Sequence, residues 1–170
     1  QLIYSGSAAA MSPVTLTKEL LSERRDQFVL LRIGGPGQIR VRNGYVAVLE
    51  LNGRTHRVVG TGPHYLDPFE YVHDVLDLRP QERFVEKVTL ISKDGIPITA
   101  MLSIQFRLDT GGEQPTRTKP YPFAETAVKI AAYAQVLQAD GTLSRWDDVP
   151  LTMAQNQLIR IFSKHDIDTI

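Results

Sequence analysis

The chain has 170 residues, of which 42% are hydrophobic, and its 19 lysines and arginines are matched by 19 aspartates and glutamates. This composition supports one or two folded domains, and the neutral charge balance argues against a nucleic-acid binder, which usually has a basic surplus. The absence of cysteine excludes disulfides, thiol nucleophiles and thiolate metal sites, and no apolar run approaches the ~20 residues of a membrane-spanning helix.

The N-terminal part of the chain, residues 1–37, is predicted to be an extension that contains a short helix and a strand. The helix is expected over residues 14–27, because Leu16 and Leu20 would share one helical face. The apolar run 28–33, which ends at a glycine-rich turn, is expected to form a buried strand.

A three-stranded antiparallel meander is predicted next. Residues 38–42, 45–51 and 54–59 have the composition of strands, and Asn-Gly pairs separate them at 43–44 and 52–53. Asn-Gly suits a type I′ hairpin turn, because both residues tolerate a positive φ. Two such turns in succession therefore predict that each of the three strands pairs with the next.

The chain then alternates between a loop and further strands. Residues 60–68 are rich in glycine and proline and are interpreted as a loop. Strands are predicted over 71–78, 84–91 and 96–108, with an Asp-Gly turn at 94–95 before the last of them. The last strand alternates apolar and polar residues along its length, so one face is expected to be buried and the other wet.

Helical spacing replaces strand spacing after a polar loop at residues 109–122. Phe123, Ala127 and Ile130 fall on one face of a first predicted helix, and a second helix is expected to start at Asp148. Strands first and helices afterwards are typical of an α+β fold. We therefore expect an N-terminal antiparallel meander and further strands in a twisted sheet, followed by two or more α-helices.

No group of residues has the spacing of a catalytic, cofactor-binding or metal site. The four histidines form neither a His-Glu-x-x-His motif nor an i, i+4 pair, although His64 is expected to make a hydrogen bond within its loop. The glycine-rich segment 34–37 precedes a strand instead of a helix, so it is interpreted as a turn and not as a phosphate-binding loop. A group of carboxylates is interpreted as solvated surface: Asp67, Glu70, Asp74 and Asp77.

Short motifs between residues 44 and 108 follow one another in a characteristic order. They are Gly44-Tyr45-Val46-Ala47-Val48, Gly53-Arg54, Gly60-Thr61-Gly62-Pro63-His64, Pro68-Phe69, Val75-Leu76-Asp77-Leu78-Arg79-Pro80-Gln81 and Ser92-Lys93-Asp94-Gly95-Ile96-Pro97-Ile98. This order resembles the SPFH, or band-7, superfamily of stomatin, prohibitin, flotillin and HflK-type proteins. The resemblance covers residues 38–170, and the Gly-Thr-Gly-Pro loop in place of a plain Gly-Pro-Gly suggests a divergent branch.

The resemblance implies an SPFH domain at residues 38–170, β-rich over 38–108 and helical over 122–170. It also implies a non-enzymatic scaffold without cofactors that attaches to membranes, assembles into large rings or cages in its full-length form, and organises lipids or regulates membrane proteins. Its partners would be further copies of itself, membrane lipids, and a membrane protease or another membrane protein. By the same resemblance, we expect the membrane anchor to lie outside the given chain.

Charge is distributed unevenly along the chain. Residues 1–60 contain eight lysines and arginines and four aspartates and glutamates, whereas residues 61–170 contain eleven and fifteen. The basic N-terminal part is expected to lie near anionic lipid, where each well-placed charge contributes about 1 kcal/mol. The predicted membrane-surface contacts are Arg24, Arg25, Arg32, Arg40 and Arg42. An equally compatible interpretation is that Arg40 and Arg42 merely occupy the solvent-exposed face of a strand.

Two other functions are compatible with the sequence beside the leading one, a membrane-associated scaffold. In the first, the chain is a soluble module that binds a protein or peptide at a sheet edge or at the 109–122 loop. In the second, the chain is a hydrolase whose acidic residues come together in three dimensions, in a pocket that perturbs their pKa values.

Overall fold

A computed structural model describes residues 14–17, 37–137, 141 and 143–166 of the chain. The chain forms two compact units: unit 1 consists of Gln1–Arg79 and Asp109–Ala132, and unit 2 consists of Pro80–Leu108 and Tyr133–Ile170. The predicted strand over 28–33 lies outside the described residues. The predicted division into an extension, 1–37, and a domain, 38–170, stays a prediction.

Eight described strands come before the first described helix and two short strands come after it, and the predicted α+β fold is confirmed. The described strands are β1 (Val14–Leu16), β2 (Gly37–Val41), β3 (Tyr45–Leu51), β4 (Arg54–Val59), β5 (Gly62–Leu66), β6 (Glu70–Asp77), β7 (Gln81–Ile91), β8 (Pro97–Phe106), β9 (Gln135–Leu137) and β10 (Leu143–Arg145). The described helices are α1 (Glu125–Tyr133) and α2 (Val149–Phe162). The predicted helix start at Asp148 is confirmed, since Asp148 is the N-cap of α2.

The first sheet of unit 1 has the strand order β1-β2-β5. β1 runs parallel to β2, with Leu16 opposite Val41. The predicted helix over 14–27 is therefore wrong over Val14–Leu16, which is a strand. Val14 and Leu16 are buried while Thr15 between them is exposed, and this period of two places β1 against the core. The rest of the predicted helix, from residue 18 on, lies outside the described residues.

The predicted meander is half right. β3 and β4 form the expected hairpin, and both turn residues, Asn52 and Gly53, have positive φ. At the first Asn-Gly pair, Gly44 has positive φ but Asn43 does not, so this turn is not type I′. The chain leaves β2 for a second sheet there, and β2 pairs with β5 instead of β3.

The second sheet of unit 1 has the order β4-β3-β6, with β3 in the centre. Six of the seven residues of β3 are buried, so both faces of this strand are covered. Fully burying one aliphatic side chain contributes about 1.5–3 kcal/mol. The main core cluster joins both sheets and consists of Val14, Leu16, Ile39, Val41, Tyr45, Ala47, Leu49, Val59, Leu66, Val72 and Val75.

The prediction that residues 60–68 form a loop is wrong over Gly62–Leu66, which is strand β5. β5 lies at an edge of its sheet and pairs with β2, with Pro63 opposite Arg40. Proline lacks the N–H that a central strand needs, but it is tolerated at an edge. The glycines and prolines that suggested a loop are therefore compatible with a short edge strand.

Unit 2 contains the β7–β8 hairpin and α2, which pack together, and a small hairpin of β9 and β10. The predicted turn at 94–95 is confirmed, with Gly95 at a positive φ. β8 alternates between exposed and half-buried residues along its length, which confirms its predicted period. Its apolar face is half-buried and not fully buried, and α2 likewise has no buried residue.

Candidate functional site

A buried ion pair connects the two outer strands of the β4-β3-β6 sheet. Arg57 lies opposite Leu49 and Glu70 lies opposite Leu51, so both side chains are on the same face of β3. The Glu70 carboxylate is 0% exposed and accepts hydrogen bonds from Arg57 Nε at 2.8 Å and Nη2 at 2.7 Å. This two-point geometry is the strongest form of an arginine–carboxylate contact.

The same ion pair fixes the turn between β5 and β6. Arg57 Nη2 also donates to the backbone oxygen of Tyr65, and the Asp67 N–H donates to Glu70 Oε2 at 3.0 Å. Burial alone raises the pKa of Glu70, but the Arg57 hydrogen bonds and the Asp67 amide outweigh it, so this pKa is lowered. Glu70 is therefore an anion at neutral pH, and it holds residues 65–70 in place.

Two aromatic side chains project from this fixed segment into solvent. Tyr65 is 73% exposed and Phe69 is 70% exposed. Phe69 has a φ of 66°, a left-handed conformation that costs an L-residue without special compensation about 1–2 kcal/mol. Strained backbone is retained where the surroundings enforce it, which is common at functional sites. The segment therefore holds an apolar ring outward in a conformation that the Arg57–Glu70 pair supports.

A basic residue shares a face with one of these rings. In β2, Ile39 and Val41 are buried while Arg40 between them is exposed. Arg40 lies opposite Pro63, and Tyr65 is two residues further along β5, so Arg40 and Tyr65 are diagonal neighbours on the solvent side. We call Arg40, Pro63, Tyr65 and Phe69, which follows Tyr65 by four residues in the chain, the aromatic–basic surface.

The structure locates two of the five arginines that were predicted to contact a membrane. Arg40 and Arg42 are both exposed, as either interpretation of them requires, and Arg40 belongs to the aromatic–basic surface. The other three, Arg24, Arg25 and Arg32, lie outside the described residues. Contact of any of the five with lipid stays a prediction. Sequence reasoning missed Tyr65 and Phe69, because the segment was interpreted as an ordinary loop.

One carboxylate was interpreted wrongly from the sequence. Glu70 was expected to be solvated surface, but its side chain is fully buried against Arg57. Together with His56 and Asp67 it forms a group whose ligand atoms lie within 4.8 Å of one another. The Arg57 guanidinium already neutralises Glu70 and would repel a cation at this position. We therefore interpret the group as a structural ion pair and not as a metal centre.

A second polar cluster lies at one end of the β3–β6 pair, where Tyr45 is opposite Asp77. Arg79 donates from Nε to Asp77 Oδ1 at 2.9 Å and from Nη2 to the Tyr45 hydroxyl at 2.8 Å. Its guanidinium carbon lies 5.1 Å from the centre of the Tyr45 ring. The Leu78 N–H donates to the Gly44 oxygen at 2.8 Å. The Gly-Tyr and Asp-Leu-Arg motifs are thus two halves of one structural contact.

A third cluster lies between β3 and β6. Glu50 is 5% exposed and accepts a hydrogen bond from the Tyr71 hydroxyl, and His73 Nδ1 is 3.2 Å from Glu50 Oε1. His73 is the extra residue of a β-bulge, since Val72 and Asp74 pair with adjacent residues of β3. His64 was expected to make a hydrogen bond within its loop. Its Nε2 atom lies 2.7 Å from the backbone oxygen of Gly60. Each of these contacts joins backbone segments, which is a structural role.

In unit 2, the solvent face of the β7–β8 hairpin is partly apolar. Phe84 is 63% exposed and Met101 is 71% exposed. Phe84 lies opposite Ser103, two residues from Met101, so the two side chains are diagonal neighbours. A partly buried contact between Arg83 Nη2 and Asp147 Oδ2, at 3.0 Å, joins β7 to the turn before α2.

Comparison with known families gives one result that covers most of the chain. The model of the "SPFH domain / Band 7 family" matches residues 39–170. A search of curated proteins finds no match to the chain. Neither of the two described helices is both long enough and apolar enough to cross a membrane.

Proposed function

Because the chain belongs to the SPFH domain / Band 7 family, whose members are in general membrane-associated, non-enzymatic scaffolds, we propose that it is itself such a scaffold. In this proposal the domain assembles into large oligomers at a membrane surface. There it organises lipids or regulates membrane proteins, of which a membrane protease is one candidate. The observation that supports contact with lipid is the aromatic–basic surface of unit 1.

The chemistry of this surface suits the interface between water and lipid. A tyrosine places its apolar ring among acyl chains while its hydroxyl stays hydrated, and a phenylalanine adds apolar area without a polar group. Arginines nearby attract anionic headgroups, each contributing about 1 kcal/mol. Tyr65, Phe69 and Arg40 combine these features, and the Arg57–Glu70 pair fixes their segment before it meets the membrane.

Removal of the two aromatic rings is expected to weaken vesicle binding about tenfold, a little over 1 kcal/mol. The variant is Tyr65→Thr with Phe69→Gly. Threonine suits a strand, and glycine accepts the positive φ of residue 69 without strain, so the fold is retained. Co-sedimentation with phosphatidylcholine vesicles containing phosphatidylserine measures the affinity.

The matched control for the aromatic variant is Phe84→Thr. Phe84 is a similarly exposed ring, at 63%, but it belongs to unit 2 and not to the aromatic–basic surface. Its replacement is expected to leave vesicle binding unchanged. Equal losses in Phe84→Thr and in the aromatic variant would show that general hydrophobicity, and not this surface, governs binding.

Neutralising Arg40 and Arg42 together, as Arg40→Gln with Arg42→Gln, is expected to weaken binding to the phosphatidylserine vesicles about thirtyfold at low salt, corresponding to about 2 kcal/mol. Salt screens these charges, so the difference from the unmodified protein should shrink as ionic strength rises. Arg117→Gln, at an exposed position of the 109–122 loop, removes a single charge outside this surface and is the control. Unchanged affinity and unchanged salt dependence in the double variant would contradict a lipid role for these arginines.

A further inference from the structure

Strand β8 has an edge that lacks the usual protection against pairing. In the part of the chain that the structure describes, β8 pairs with β7 and with no other strand. Its ten residues include no charged side chain, and its one proline, Pro97, stands at the start. Natural proteins protect exposed edges with charges, internal prolines or bulges. An edge of this length without them is normally covered by another strand.

The other edge of the same hairpin is protected. β7 contains four charged residues within its first seven positions, namely Glu82, Arg83, Glu86 and Lys87. It also contains the irregularity of the pair, since two residues of β7 lie between Val85 and Val88 where β8 has Met101 alone. A bulged, charged strand resists pairing. The difference between the two strands directs any further strand to β8.

Burial within unit 2 also indicates that the hairpin is incomplete on its own. The apolar side of β8 is half-buried throughout, and α2 has no buried residue. Two-stranded sheets are marginally stable, and additional strands give a sheet independent stability. Extension of the sheet past β8 would cover the apolar side chains that α2 leaves half-exposed.

The sequence of β8 matches itself when it is reversed about Met101. In antiparallel pairing centred there, Ile98 faces Ile104, Ala100 faces Leu102, Thr99 faces Ser103 and Met101 faces its own copy. Apolar side chains then face apolar ones and hydroxyls face hydroxyls, which are favourable cross-strand pairs. A two-fold contact brings each charged side chain of a strand close to a like charge on the other copy. β8 has no charged side chain, so its self-pairing causes no such repulsion.

We propose that β8 pairs antiparallel with β8 of a second copy of this chain, with the two-fold axis at Met101. The result is a four-stranded sheet, β7-β8-β8-β7. In this register the half-buried residues of β8 lie opposite half-buried residues of the other copy, so both α2 helices are on the same face of the sheet. This interface rests on the proposed scaffold function and supplies one of its subunit contacts. The occupant is a second copy because the residues of the edge are complementary to themselves in antiparallel pairing and carry no charge.

Cysteine cross-linking tests the register directly, because the chain contains no cysteine of its own. Met101→Cys places two thiols opposite each other, where Cα atoms are about 4.5–5.5 Å apart and a disulfide is allowed. We expect most of this variant to form a disulfide-linked dimer under mild oxidation. Phe84→Cys, on the same face of the hairpin and similarly exposed, is expected to remain unlinked.

Two cysteine variants, one at Thr99 alone and one at Thr99 and Ser103 together, distinguish this register from cross-linking by chance collision. In the proposed pairing, Thr99 lies four residues from its own copy, about 13 Å away, and directly opposite Ser103. Thr99→Cys alone should therefore not cross-link, whereas Thr99→Cys with Ser103→Cys should. Cross-linking of Thr99→Cys alone, or equal cross-linking of Phe84→Cys, would overturn the proposal.

Charge substitution at Met101 tests the same contact without cysteines. Met101→Lys places two like charges opposite each other across the two-fold axis, and the residue is 71% exposed, so the single copy should still fold. Self-association of Met101→Lys is expected to weaken at least about fivefold. Met101→Glu should weaken self-association by a similar factor for the same reason. An equimolar mixture of the two variants should recover it. Phe84→Lys is the control, and failure of the mixture to recover would count against the pairing.

The particle mass of each full-chain variant, measured by light scattering, separates this proposal from the scaffold function. Large particles with the Met101→Cys cross-link support both. Large particles without the cross-link overturn the β8 interface and leave the scaffold function intact. A dimer with the cross-link supports the interface and contradicts the large scaffold, and a monomer without it contradicts both.

Discussion

Replacing Arg57 with alanine is expected to lower the free energy of unfolding by about 3 kcal/mol, the lower end of the range for breaking a buried ion pair. The lower end applies because the Arg57 side chain is 37% exposed, whereas Glu70 is 0% exposed. The loss arises because the Glu70 carboxylate would remain buried without a counter-charge. Denaturant unfolding of the variant beside the unmodified protein measures the difference.

The pH dependence of this difference identifies its cause. The folded protein holds the pKa of Glu70 below its ordinary value, so the group stabilises the fold above the unfolded pKa of about 4.3. That contribution is lost as pH falls through the folded pKa. In Arg57→Ala the buried carboxyl favours its neutral form, so the stability difference should narrow as pH falls from neutral. A difference that stays constant with pH would mean that Glu70 ionisation is not responsible.

A double variant separates charge from packing. Arg57→Met with Glu70→Leu removes both charges and keeps side chains of comparable length. Replacing a whole buried pair with apolar residues is often close to neutral. We therefore expect the double variant to be at least about 1.5 kcal/mol more stable than Arg57→Ala. A double variant as unstable as the single one would show that the loss does not come from an unpaired Glu70 carboxylate.

Replacing Gly44 with alanine is expected to cost about 2 kcal/mol or more, a large effect for one methyl group. Gly44 has a φ of 85°, which strains an L-residue by about 1–2 kcal/mol. A Cβ at this position would also lie 3.2 Å from Cδ and Cγ of Arg79. The Arg79 side chain, which contacts Tyr45 and Asp77 in the folded protein, would have to shift by a few tenths of an ångström.

Gly53→Ala is the matched control for this position. Gly53 also has a positive φ, 73°, but a Cβ there would meet no atom within 4 Å. Both variants therefore include the backbone strain, and the contact with Arg79 distinguishes them. Denaturant unfolding should show the greater loss for Gly44→Ala. Equal losses would mean that the Arg79 contact adds nothing to the requirement for glycine.

The sequence predicted those elements whose evidence is local. The period of two in β8 and the Asn52–Gly53 turn each depend on a few adjacent residues, and each was confirmed. The errors concern choices between partners. The Asn43–Gly44 pair has the same residue types as the hairpin turn, but its backbone leads the chain into another sheet, and composition does not reveal which sheet a strand joins.

The candidate surface shows the same division between local and distant evidence. Exposure of Arg40 follows from its place between the apolar Ile39 and Val41, and it was predicted. The burial of Glu70 depends on Arg57, and both flank β3 on strands that are not neighbours in the chain. Phe69 directly precedes Glu70 in the chain, so its backbone adjoins that ion pair. Such contacts follow from strand order, which no single segment of sequence determines.

The measurement that tests the scaffold proposal most directly is the particle mass of the full-length protein, extracted from its own membranes in mild detergent. Light scattering after gel filtration gives this mass. The proposal predicts a uniform particle of many subunits, recovered from the membrane fraction. A monomer recovered from the soluble fraction would contradict it and would favour the soluble protein-binding module instead.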